Sequence, residues 1–306
     1  MDSSDSESTN STSSVSTLTE NSSLIFPSKA EFLKTYRRQS FSLPDSIMHY
    51  IAMNPSSAEA YEKLVQSCKY FFVKNSILVL SSLNCFSNGC ETLINGEWKD
   101  IDLINNPNKL WITDRFNVKF NNDNTSASSI IPKFFHCNVK NLIVWEQIIS
   151  YDEFMVLTAN VERLEFIRAT VKYDDGTIVP FEKLVDQLPE AIKIHFFPSG
   201  TEMITSKTFK ELLKIPRFAT LDRLNLYEIP EVFDIASYYV HMKKNKHTKF
   251  LLYFCETISD EYKIRIEAIV DEIIDATNHK YKTPLIYFNG LDEEKWRKLH
   301  ALCRQQ

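Results

Sequence analysis

Cys85 and Cys90 lie close enough in the chain to share a metal ion. A tetrahedral zinc site needs four such ligands, and no second C-x-x-C or paired histidine completes one, so both are expected to be free thiols. Asp174-Asp175-Gly176-Thr177 has the look of a metal loop. It lacks the alternating oxygen ligands and closing Glu of an EF-hand, and a chain-reversing turn is expected there. His195 titrates near neutral pH in its ordinary form, yet no Ser or Cys beside it suggests a triad. Contact with a ligand is the role it supports. No G-x-S-x-G, H-E-x-x-H, G-x-x-x-x-G-K-S/T or G-x-G-x-x-G occurs, and the chain has only 5 glycines in 306 residues. These observations point to a binding protein rather than an enzyme, with no catalytic residue, cofactor or metal.

A net charge of -5 and a pI near 5.9 leave no excess positive field to hold a phosphate backbone, so nucleic acid is not an expected partner. No apolar run reaches the length of a bilayer span, and no membrane is expected as a partner either. The first residues carry acids and hydroxyls without a basic start or apolar core, which differs from a signal peptide. An intracellular protein with six thinly spread, reduced cysteines follows as the expectation, cytoplasmic and with the nucleus open to it. Lys243-Lys244-Asn245-Lys246-His247 is a basic cluster best read as the positively charged end of a helix.

The elements that must position any site fall into four stretches. Residues 1–28 are rich in Ser, Thr and acids and are expected to be a disordered tail. Residues 29–83 form a helical segment: a helix over Ala30–Arg38, a start at Ser42-Leu43-Pro44-Asp45 leading into Ile47, Met48 and Ile51, and a break with a new cap at Asn54-Pro55-Ser56-Ser57. Tyr61, Leu64, Val65, Cys68 and Phe72 then share one helical face. Asn75–Leu83 fits another helical turn or a strand. Residues 84–138 are expected to be a transition unit, with a hairpin at Asn95-Gly96 and strands over Lys109–Phe120.

From residue 139 to 306, short β-rich runs alternate with helical ones. The strands expected are Leu142–Gln147, Leu164–Ala169, Ile192–Phe197, Leu224–Ile229, Phe250–Cys255 and Leu285–Phe288. Helices between them carry apolar stripes: Phe209, Leu212 and Leu213; then Val232, Phe233, Ala236, Tyr239 and Val240; then Tyr262, Ile266, Ile269, Val270, Ile273 and Ile274. Leu221-Asp-Arg-Leu224-Asn-Leu226-Tyr-Glu-Ile229 fits the apolar spacing of a leucine-rich repeat. The expected fold is α/β: a short helical segment followed by a leucine-rich-repeat-like βα solenoid. In that frame the residue after the second apolar position of each strand points away from the core, giving the row Trp145, Ile167, His195, Tyr227, Tyr253 and Tyr287 as a substrate-binding face. A frame shifted by one residue would bury the same rings.

Leu43-Pro44-Asp45 … Ile51 … Leu64 … Cys68-Lys69-Tyr70-Phe71 resembles an F-box, with Ser46 where that pattern usually has an acid. From Ser42 onward the chain looks like the lineage-expanded nematode F-box-like proteins, with Pro55-Ser56-Ser57-Ala58 and Thr205-Ser206-Lys207-Thr208-Phe209 among the shared phrases. The resemblance implies that Leu43, Pro44, Ile47, Ile51, Leu64, Cys68 and Phe71 dock the Skp-type adapter of a cullin-RING ubiquitin ligase. The repeats would then hold an unknown protein substrate. A free-standing recognition or scaffold protein, whose helices only cap the repeats, is the alternative.

Overall fold

A computed structural model describes residues 33–37, 39–120 and 124–305. The tail expected over residues 1–28, and part of the helix expected over Ala30–Arg38, lie outside them. Leu33 and Lys34 are helical, and three short helices follow: α1 (Asp45–Met53), α2 (Ala58–Ser67) and α3 (Lys69–Lys74). Pro44, not Ser42, occupies the N-cap of α1, with its φ fixed by the pyrrolidine ring and no side-chain cap bond. Ser57 caps α2 as expected, its hydroxyl accepting from the Ala60 N–H at 3.1 Å.

Strand β1 (Ile77–Phe86) follows, so residues 77–83 belong to the sheet and not to the helical segment. Ile77 and Leu78 are both buried although they point to opposite faces, because Ile77 packs with Tyr61 and Trp111 while Leu78 enters the main core. Covered on both sides, the start of the strand loses the alternation that would have marked it. A hairpin of β2 (Gly89–Ile94) and β3 (Glu97–Ile101) turns through Asn95 and Gly96, both at positive φ (53° and 86°), as the Asn-Gly pair requires. Strand β4 (Lys109–Lys119) returns parallel to β1.

The remaining elements are α4 (Ser126–Ile130), β5 (Phe134–Cys137), β6 (Asn141–Trp145), β7 (Ile148–Ser150), α5 (Tyr151–Thr158), β8 (Arg163–Lys172), α6 (Phe181–Asp186) and β9 (Lys193–Pro198). After these come α7 (Thr208–Leu212), β10 (Arg223–Ile229), α8 (Ile235–Lys244), β11 (Lys249–Phe254), α9 (Asp260–Asp275), β12 (Leu285–Tyr287) and α10 (Glu293–Arg304). The 12 strands form one open sheet in the order β12-β11-β10-β9-β8-β6-β4-β1-β2-β3, with β5 branching from β4 and β7 from β8. Apart from the β1–β2–β3 turnback, every pairing is parallel. From β6 to β12, successive main strands lie side by side in chain order.

One face of this sheet is packed by helices. Leu142 and Val144, Leu164 and Phe166, Ile194 and Phe196, Leu224 and Leu226, and Phe250 and Leu252 are buried beneath them in one continuous core. Phe166 stacks on Phe196 at 6.0 Å, and Phe181 of α6 closes on Phe196 at 4.2 Å. The stripe of α9 is as expected, with Tyr262, Ile266, Ile269, Val270 and Ile273 inward. That of α8 holds only at Phe233 and Tyr239: Val232, Ala236 and Val240 are exposed, and Ile235, Tyr238 and Met242 face the core. Asp234 caps this helix by accepting from Ser237 N–H, so Val232 precedes the helix and counting from it sets the wrong phase.

A backbone feature recurs in three neighbouring parts of the sheet, just past β6, within β8 and near the end of β10. Glu146 (φ 53°), Arg168 (φ 49°) and Glu228 (φ 49°) are left-handed, each directly after Trp145, Ile167 or Tyr227. The sheet register shifts there in β8 and β10, as at a bulge, and pairing resumes beyond it with Ala169 opposite Pro198 and Ile229 opposite Phe254. Glu228→Gly is expected to stabilise the fold by about 1 kcal/mol, because only glycine adopts this conformation without a Cβ clash. Phe166→Ala should cost about 3–5 kcal/mol through the cavity it leaves. Urea unfolding of both variants measures the two shifts.

Candidate functional site

Trp145, Ile167, His195, Tyr227, Tyr253 and Tyr287 are half-buried and all point to the face opposite the shared core, which helices reach only toward its two sides, through Tyr61 of α2 and Trp296 of α10, and which is otherwise helix-free. Trp145 is opposite Ile167, and Tyr253 opposite Tyr287. In the third rung, however, Ile167 is opposite Phe197 rather than His195. Ile192-x-Ile194-x-Phe196 offers two overlapping apolar pairs, and the sequence frame took the earlier one, which missed Phe197. His195 sits two residues back on the same face, opposite Glu165 and Asn225.

From Phe197 to Trp296 the row is continuous from ring to ring, while Ile167 separates Trp145 from it. Lys119 Nζ lies 4.1 Å over Trp145, and the Arg168 guanidinium 5.2 Å over Phe197. Tyr227 stacks on His195 at 4.8 Å, on Phe197 at 5.7 Å and on Tyr253 at 5.0 Å. Tyr287 is 5.2 Å from Tyr253, and Trp296 of α10 is 5.2 Å from Tyr287. Trp296 was invisible as a member of this row because it stands alone on a highly charged helix. Burial raises the Tyr227 and Tyr253 hydroxyls above their ordinary value, and keeps His195 below its own, against the weaker pull of Glu165.

The helical segment divides into an anchored side and an open side. Tyr61, 2% exposed, donates its hydroxyl to Asn75 O at 2.6 Å and accepts from Ile77 N–H at 3.1 Å. Asn75 Nδ2 donates to Ala52 O at 3.1 Å, so α1, α2 and the start of β1 are tied through one buried network. Of the seven residues expected to dock an adapter, Phe71 is instead the centre of a small local core with Met48 and Ala52, and Ile51, Leu64 and Cys68 pack partly against it. Leu43 and Ile47 are 48% and 46% exposed, with Pro44 also open. Tyr50, 66% exposed, extends the same apolar surface, at helical spacing from Ile47.

Cys85 and Cys90 are cross-strand partners in the β1–β2 hairpin and form a disulfide, against the expectation of free thiols. Their pairing depends on hairpin register, which sequence spacing does not reveal. Burial pushes the thiols of Cys137 up to about 12 and of Cys255 and Cys303 up to about 11, so none is a thiolate near neutral pH. Asp174–Thr177 is a turn: Gly176 has φ 83°, and Asp175 accepts from the Thr177 N–H and hydroxyl. Among the described residues no cluster of His, Cys, Asp and Glu is arranged to hold a metal, and no helix is long and apolar enough to cross a membrane. Comparison of the chain with protein-family models, curated proteins and solved structures returns no match.

Tyr61→Phe should destabilise the chain by about 1–3 kcal/mol, since it strands a buried carbonyl and a buried N–H; chemical denaturation reads this directly. His195 and His241 both have depressed folded-state values from burial, so the unfolded chain takes up protons first as pH falls below about 6.5. Stability should therefore decline from pH 7 to pH 5, and His195→Gln should flatten part of that decline in melting curves.

Proposed function

We propose that this chain is a protein-recognition subunit of a cullin-RING, SCF-type ubiquitin ligase. The helix-free sheet face takes the substrate protein, and the helical segment takes a Skp-type adapter. The observation that carries the reading is the open apolar surface of Leu43, Pro44, Ile47 and Tyr50, on a segment already fixed to the sheet by Tyr61. An apolar helix face left uncovered on an anchored scaffold suits a partner helix. The sequential order of parallel strands supports reading the sheet and its helices as a leucine-rich-repeat-like solenoid. Large amphipathic rings on its free face suit protein contact, because they bury much area at small entropic cost.

The second reading, a free-standing recognition protein capped by these helices, is favoured by the Tyr61–Asn75–Ala52 network, which makes the segment part of the fold. Co-purification with a Skp-type adapter separates the two. Wild type is expected to retain the adapter. Leu43→Ala/Ile47→Asp, with unchanged circular dichroism, is expected to bind it at least about tenfold more weakly. No adapter retained by wild type leaves the capped, free-standing protein.

A further inference from the structure

The rungs that align the rings also align charges. Arg115 is opposite Asn141, Asn141 opposite Arg163, Arg163 opposite Lys193, Lys193 opposite Arg223, and Arg223 opposite Lys249. This is a file of five cations on six neighbouring strands, on the face opposite the shared core, beginning inside β4 and running along the N-terminal ends of the others. Strands are spaced by about 4.8 Å, so the file extends across roughly 24 Å. Arg163 shares a hydrogen bond with Asn141 at 3.0 Å, and Arg115 Nε has no hydrogen-bond partner. Among the described residues no ion pair reaches any of the five. The nearby acids are otherwise placed: Glu162 pairs with Lys140, Asp114 accepts from Asn141, and Asp222 and Glu165 lie beyond ion-pair distance of the file.

Like charges on adjacent strands oppose folding, and a protein of net charge -5 has acids to spare for neutralising them. We infer that the file is a binding element for an acidic segment of the partner protein, which crosses the strands with its carboxylates on the cations and its apolar side chains on the ring row. This rests on the recognition-face reading above and names the substrate's chemistry. Two further observations support it. A cavity of about 190 Å³ opens at the end of the file, where Arg223, Lys249, Lys282 and Asn225 stand around an apolar lining that includes Leu251 and Leu285, which suits a side chain with an aliphatic stem and a carboxylate end. Asn225 Oδ1 there has no hydrogen-bond partner and suits a peptide N–H.

A single-stranded nucleic acid shares the taste for cations and rings but needs open ring faces for its bases. Here the faces are spent on one another: His195, Tyr227 and Tyr253 stack at interplanar angles of 25° and 16°, and so turn edges outward. Ring edges and hydroxyls suit aliphatic side chains and peptide carbonyls.

Selection of displayed random dodecapeptides on the full-length chain tests the inference. Asp and Glu are expected to be enriched at least about twofold over the naive library, together with aliphatic residues, and Lys193→Glu/Arg223→Glu should return the acid content to the naive level. The same variant should melt at or above the wild-type temperature, because it makes the 163–193 and 223–249 rungs attractive while the 193–223 rung only exchanges one like-charge pair for another. A lower melting temperature would show that the cations serve the fold and would overturn the inference. Peptides enriched without an acidic bias would overturn it while leaving the recognition face intact, and no enrichment at all would remove both. Enrichment only of sequences like this chain's own Asp2–Glu7, or tighter binding of oligouridine than of any selected peptide at physiological salt, would also overturn it.

Discussion

The alternation of side chains along strands laid parallel and in register is the constraint on which the rest of this molecule depends. Each strand sends Leu, Ile, Val and Phe into one shared core and must send the intervening residues the other way. Because β6, β8, β9, β10, β11 and β12 are neighbours in chain order, those outward residues fall into files that no single strand defines. The ring row, the cation file and the cavity beside it are products of register. None exists until the ladder closes.

Much of this architecture was legible because several C-terminal strands alternate apolar and polar residues, as in Leu224-Asn-Leu226 and Ile194-His-Phe196. The six strands expected from residue 139 onward all fall on strands of the sheet. Strand β1 was ambiguous for a physical reason: Tyr61 and Trp111 cover the face of Ile77 that other strands leave open. The left-handed residues Glu146, Arg168 and Glu228 carried no signal either, since their types do not favour that conformation. Tertiary pairing imposes the bend and overrides local preference.

The site residues divide in the same way. Rings one residue after a buried pair were found from alternation alone, while Phe197 needed the register and Trp296 needed the packing of α10. The adapter-docking set came from a resemblance, and packing sorts it into two groups. Phe71 builds the local core with Met48 and Ala52, whereas Leu43 and Ile47 remain open. Cations 26 to 30 residues apart along the chain, as Arg163, Lys193, Arg223 and Lys249 are, have no sequence pattern that marks them as neighbours.

The two lateral ends of the sheet are unlike. At β12 the helix α10 packs against the last strand, with Trp296 on Tyr287 and the Cys303 thiol donating to Thr283 O at 3.3 Å. At the other end, β3 pairs with β2 alone and offers its second row of backbone groups to solvent. A margin of three residues beside a packed helix and an open margin of five give the sheet a polarity, with more unpaired backbone at β3. Continuous fibre growth by strand addition draws on both margins, and the short β12 is the weaker template of the two.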